Sequence, residues 1–110
     1  MSKLADILFE GSSFTKYKFG AYPADSDFSD EGAVYILTRR TKPGPSGGTH
    51  VITFIGSAEK LAQKMDSEGP DFASRHQANC ICVLYESDPE IRASIERDLL
   101  KNHLTPFNQK

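Results

Sequence analysis

Ala33-Val34-Tyr35-Ile36-Leu37-Thr38 and His50-Val51-Ile52-Thr53-Phe54-Ile55-Gly56 are two apolar runs on either side of a Pro/Gly-rich segment, Thr41 to Gly48. Both are rich in β-branched and aromatic residues and too short for buried helices, so they read as strands covered on both faces. Such strands belong in the middle of a sheet. The intervening segment is too long for a tight turn, which predicts an antiparallel hairpin with a loose, dispensable surface loop over 42–48. Gly56 permits a sharp turn or a close backbone approach. Ser57 is the expected cap of a helix near 58–66, in which Ala58, Leu61, Ala62 and Met65 form the apolar stripe.

Downstream, Cys80-Ile81-Cys82-Val83-Leu84-Tyr85 reads as a third apolar strand over 80–86, after a long loop from Gly69 to Ala78. Asp88-Pro89-Glu90 supplies a cap, a proline at the first helical position and an acid in the first turn, predicting a helix over 89–102. Ile91, Ile95 and Leu99 line one face of that helix, with Leu100 further round and Glu96 at the border of the buried face. An Arg92-Glu96 pair on the surface is the plain reading of that carboxylate. Upstream, Leu4, Ile7 and Leu8 at helical spacing predict a short helix from Ser2 to Phe9. Phe14 to Phe19 alternates lysine with aromatics and reads as an edge strand, and Tyr22 to Asp27 as loop. The expected architecture is α+β: a small three-stranded antiparallel sheet flanked by helices in the order β-β-α-β-α, preceded by an N-terminal helix and strand. Residues 1–30 form an extension packed on a domain of residues 31–110.

A chain of 110 residues with 25% charged and 38% hydrophobic residues suits one domain with one ordinary core. No stretch approaches the ~20 apolar residues of a membrane helix, and the start shows no signal-peptide pattern, so a cytoplasmic protein is expected. Cys80 and Cys82 share one strand face and, without further cysteines, make neither a disulfide framework nor a zinc set. Reduced core thiols are the expectation. The formal charge of −2 argues against a whole-surface nucleic-acid binder but leaves room for a local patch. The net positive part falls on residues 31–64, with Arg39, Arg40, Lys42, Lys60 and Lys64, which read either as a solvated face or as a backbone-phosphate patch.

The joints of this strand, strand, helix, strand, helix order resemble the GIY-YIG nuclease family. Ala33-Val34-Tyr35 stands at the first motif and Phe54-Ile55-Gly56 at the second. Glu96 stands on the family's glutamate helix, and Leu104-Thr105-Pro106-Phe107-Asn108 at its closing Pro-Phe-Asn turn. The resemblance covers about residues 31–108. It implies a metal-dependent endonuclease acting on DNA with Mg2+ or Mn2+, in which Tyr35, Lys64 and Glu96 are catalytic and Glu96 is the metal ligand. It also implies that Asn108 is the structural or phosphate-side asparagine; Arg39, Arg40, Lys60 and Lys64 would join it on nucleic acid. Phe54 lacks the hydroxyl of the family's second tyrosine and can neither hydrogen-bond a phosphate nor relay a proton. Lys64 keeps the charge of the family's arginine without its planar fork.

Tyr35, Lys64, Glu96 and a neighbouring His76 or His103 could each supply part of a phosphodiester-hydrolysing site. A single carboxylate leaves Mg2+ with most of its waters and dependent on the substrate phosphate. Three readings follow: a nuclease with weakened activity, the same fold without catalysis serving as a nucleic-acid or protein interaction module, or an unrelated small α+β domain. Only the last need not place the strands at 34 and 54 side by side.

Overall fold

The computed structural model describes residues 3–41, 49–103, 105 and 108. Five strands form one antiparallel sheet: β1 (Ala5–Glu10), β2 (Lys16–Pro23), β3 (Ala33–Arg40), β4 (His50–Ala58) and β5 (Cys80–Tyr85), in the spatial order β1-β2-β5-β3-β4. Helices α1 (Leu61–Glu68) and α2 (Phe72–Arg75) precede β5, and α3 (Pro89–Asn102) follows it.

The three-stranded sheet expected from the sequence is therefore corrected to five strands, because the N-terminal segment is not a helix with an edge strand. Residues Ala5 to Glu10 pair with β2 in the register Ala5↔Ala21 to Glu10↔Lys16, and β2 in turn pairs with β5. Ile7 and Phe9 face inward at strand spacing while Leu8 is 59% exposed between them. The spacing of Leu4, Ile7 and Leu8 fits a helix, but Ala5, Ile7 and Phe9 fit a strand equally well. The Phe9 and Phe19 rings, meeting edge to face at 5.4 Å, secure the second alternative. Tyr22 and Pro23, expected in a loop, extend β2 to its partners Ile81 and Cys80.

The expected hairpin is present, with β3 and β4 antiparallel and β5 on the other side of β3. The loop expected over 42–48 lies outside the described residues. Both sheet faces are covered, which accounts for the unbroken apolar run of β3. Val34, Ile36, Ile55, Cys80 and Cys82 pack with Phe9 and Phe19 under Ile95 and Leu99 of α3. Tyr35, Leu37, Ile81 and Val83 pack on the opposite face with Leu61 of α1 and Phe72 of α2.

Helix starts and ends also depart from the sequence reading. Ser57 lies in β4 rather than capping a helix, and α1 begins at Leu61 behind Lys60, whose side chain makes no cap bond. The loop before β3 satisfies the exposed donors instead. Glu31 accepts from Leu61 N, and the Asp30 carboxylate accepts from both the backbone and the side chain of Gln63. Asp88 caps α3 as expected, accepting from Glu90 N and Ile91 N. The C-terminal half of α3 is tied to the β1–β2 turn through Asp98, whose carboxylate accepts from Ser12 Oγ, Ser13 N, Ser13 Oγ and Tyr17 Oη. A Cβ on Gly11 would overlap that carboxylate.

Candidate functional site

The register of the hairpin explains the relation between its two motif-like ends. Tyr35 lies directly across from Gly56, and its ring lies over the glycine, where a Cβ would come within 2.7 Å of Tyr35 Cζ and Oη. Tyr35 is 2% exposed, stacked on Phe54 at 6.1 Å and met by the edge of Phe72 at 6.1 Å. Its hydroxyl is pushed well above the usual tyrosine range, chiefly by burial and then by the negative charges of Glu68 and Glu96. At any ordinary pH the Tyr35 hydroxyl keeps its proton, so it can donate a hydrogen bond but cannot act as a base.

Glu96 projects from α3 to the end of β4, where its Oε1 accepts a 2.7 Å hydrogen bond from Ser57 Oγ. The expected Arg92-Glu96 pair is absent. Arg92 is buried instead, with Nη1 donating to the carbonyls of Glu86 and Ser87 and resting against Gly32. Ile91, predicted inside, is 45% exposed. A guanidinium near the N-terminus of α3 gains more from two carbonyls left open by the β5–α3 loop than from an exposed carboxylate.

Lys60 and Lys64 stand with Ser57, Gln63 and Ser67 around a shallow groove of about 400 Å³ between the end of β4 and α1. Lys64 Nζ is 2.8 Å from Glu68 Oε2, so part of its charge is met within the helix. The Lys64 hydrogen bond, with Arg75 adding, holds the Glu68 carboxyl below its ordinary value despite some desolvation. Near the end of β4, Lys60 and Lys64 line the groove and Glu96 reaches Ser57 from the α3 side, while Tyr35 is buried on the opposite face of the sheet. Arg39 and Arg40 are elsewhere. They end β3 four and five residues beyond Tyr35, roughly 13–17 Å along a strand, so the described basic residues Arg39, Arg40, Lys60 and Lys64 form two groups rather than one patch.

Asn108 clamps the edge strand. Its amide oxygen accepts from Ile55 N at 2.8 Å and its amide nitrogen donates to Ile55 O at 2.9 Å, the pairing a neighbouring strand would make. That leaves little of the side chain for a phosphate and answers to the structural one of its two expected roles. His76 and His103 both bond backbone carbonyls, of Phe72 and Glu10 respectively. His76 also lies against Phe54, with ring centroids 5.0 Å apart, which places it beside the aromatic cluster that holds Tyr35.

One carboxylate oxygen of Glu96 remains for a divalent cation, which fits a weak Mg2+ or Mn2+ site completed by water and substrate. Among the described residues, the one group of three metal-ligating side chains lies elsewhere, formed by His50, Cys80 and Cys82. Sequence reasoning missed it. Cys80 pairs with Thr38 and Arg40 with His50, so the three side chains share the α3 face of the sheet. The hydrogen bond from Cys82, with Thr38 and Arg40 adding, draws the Cys80 thiol down to about 7 against the effect of burial, while the same pairing and burial push Cys82 up. A second hollow, about 300 Å³ between Phe28, Met65 and Phe72, includes none of Tyr35, Lys64 and Glu96.

No protein-family model, no curated protein and no solved structure matches this chain. No described helix is long and apolar enough to cross a membrane.

Proposed function

We propose that this is a GIY-YIG-like domain that binds nucleic-acid backbone at the end of β4 and hydrolyses DNA phosphodiesters slowly with Mg2+ or Mn2+. One observation carries the reading. Glu96 reaches Ser57 at the end of β4, and Ser57 lines the groove of Lys60 and Lys64. Glu96 would hold the cation, which when bound supplies Lewis acidity and an acidified water. Ser57 fixes the rotamer of the carboxylate and leaves its second oxygen open. Lys60 and Lys64 attract the phosphate as point charges without the bidentate grip of arginine. Tyr35, held protonated and buried against Gly56, supports the strand end from the opposite face of the sheet. Asn108 keeps β4 in place from outside the sheet.

A second reading, the interaction module without catalysis, has its own support. Phe54 fills its place in the aromatic cluster with no hydroxyl, and the Lys64 charge is shared with Glu68. Cleavage assays on plasmid and branched DNA with Mg2+ or Mn2+ separate the two. On the first reading cleavage is metal-dependent, abolished in Glu96→Ala and raised in Phe54→Tyr. Salt-sensitive DNA binding with no cleavage by the parent or by Phe54→Tyr replaces it with the second, and absence of binding removes the nucleic-acid role.

A further inference from the structure

We propose that His50, Cys80 and Cys82 form a binding site for Zn2+, independent of the Glu96 site. The three ligand atoms lie within 4.8 Å of one another. Zn–S bonds of about 2.3 Å and Zn–N bonds of about 2.0–2.1 Å place the ligands of a tetrahedral ion roughly 3.6–3.8 Å apart, so a contraction of about 1 Å closes the site. Small changes in χ1 of His50 on β4 and of Cys80 and Cys82 on β5, the two strands that flank β3, would draw them together. Two sulfurs and an imidazole without a carboxylate are a soft donor set that favours zinc over Mg2+, Ca2+ or Mn2+. Three protein ligands leave a fourth position for water.

A defect in the sheet builds the cluster. Between Leu37 and Thr38 the register with β4 shifts, so that Leu37 faces Phe54 but Thr38 faces Ile52, leaving Thr53 as the extra residue of a β-bulge. Thr53 is buried and its hydroxyl donates to Leu37 O. In an unbroken ladder Thr38 would face Thr53, and His50 would turn to the opposite face of the sheet. With the bulge, His50 pairs with Arg40 and points to the face of Thr38, Cys80 and Cys82. Re-aiming one side chain in this way is what bulges beside functional sites do.

The surroundings match a metal centre on two further points. Thr38, fully buried, holds His50 Nδ1 through its hydroxyl at 2.8 Å and lies directly across from Cys80. It is placed as the outer partner that orients metal ligands. Cys80 and Cys82 are 1% and 0% exposed whereas His50 is half-buried, so the imidazole side is open to an incoming ion and to the fourth ligand. The cluster lies at the end of β3 away from Val34, the residue that faces Ser57. Four residues of strand, roughly 13 Å, separate Thr38 from that position.

The test uses the full chain, reduced and stripped of metal, titrated with Zn2+ against a chromophoric chelator, and with Co2+ as a visible probe of thiolate coordination. One equivalent of Zn2+ should bind with submicromolar affinity, and Co2+ should give the charge-transfer absorption of a thiolate complex. His50→Ala and Cys82→Ser should each weaken binding at least about 100-fold, and Thr38→Val about 10–100-fold. His76→Ala should leave it unchanged. Should Cys82→Ser fail to fold, the half-buried His50 carries the test, since its truncation leaves the core thiols in place. Absence of Zn2+ binding by the folded reduced parent overturns the proposal, as does affinity unaffected by His50→Ala. DNA cleavage plays no part in the readout, so this result and the nuclease result stand or fall separately.

Discussion

Gly56→Ala is the substitution that most directly tests how the hairpin holds Tyr35. The added Cβ would stand 2.7 Å from Tyr35 Cζ and Oη and 3.0 Å from Phe54 Cε2. The Tyr35 ring has no free direction, being 2% exposed and packed against Phe54 and Phe72. Either the ring leaves its rotamer or β4 moves away from β3, and overpacking of this kind costs about 1–3 kcal/mol. At roughly 4–8 °C per kcal/mol for domains near this size, the melting temperature should fall by at least about 4 °C. Chemical denaturation of four proteins, the parent, Gly56→Ala, Tyr35→Phe and the double variant, isolates the contact. Removing the hydroxyl takes away one of the two Tyr35 atoms that the Cβ meets, so Gly56→Ala should cost at least about 0.5 kcal/mol less in the Tyr35→Phe background. Additive effects, or a Gly56→Ala protein as stable as the parent, would refute the idea that the glycine is there to admit the ring.

The remaining predictions concern the ties that hold the site. The Asp98 carboxyl lies well below its ordinary value because Ser13, then Tyr17 and Ser12, donate to its ionised form. A depressed folded pKa gives stability that is present above the unfolded value of about 3.9 and is lost as pH falls through the folded one. Denaturation midpoints measured from pH 5 to 2 should accordingly drop more steeply for the parent than for Asp98→Asn, and parallel profiles would disprove the assignment. Arg92→Ala strips the Glu86 and Ser87 carbonyls of a buried donor and should destabilise by about 2–4 kcal/mol. Glu96→Ala, losing a half-buried bond to Ser57, should cost only about 1 kcal/mol in the same urea titration; equal costs would make Glu96 a structural anchor. Asn108→Asp keeps the acceptor for Ile55 N but loses the donor to Ile55 O, so amide hydrogen exchange along β4 should accelerate, with an unchanged rate as the contrary result.

The sequence by itself determined those elements whose signals are local. The β-branched runs of β3, β4 and β5 find no stable alternative to a covered strand, and Asp88-Pro89-Glu90 starts α3 whatever packs on it. The hairpin partner of β3 was likewise legible, since chain connectivity favours pairing of neighbouring apolar runs. Residues Ala5 to Glu10 were ambiguous, because a short run with apolar residues at 4, 5, 7, 8 and 9 satisfies both periodicities. The choice fell to the distant partners Phe19 and, through β2, Cys82. Contacts formed by one side chain across the fold were not legible either. Nothing local tells Arg92 to turn from Glu96 toward the carbonyls of 86 and 87, or Asn108 to close on Ile55. The same holds for the candidate sites. Tyr35, Lys64 and Glu96 could be named from their order along the chain, and the Lys64–Glu68 pair is local to one helix turn, but that Ser57 holds Glu96 depends on how α3 lies on the sheet. His50 joins Cys80 and Cys82 only because one extra residue in β4 reverses the face of every side chain before it, and a strand's period of two makes that decision invisible until the register is known.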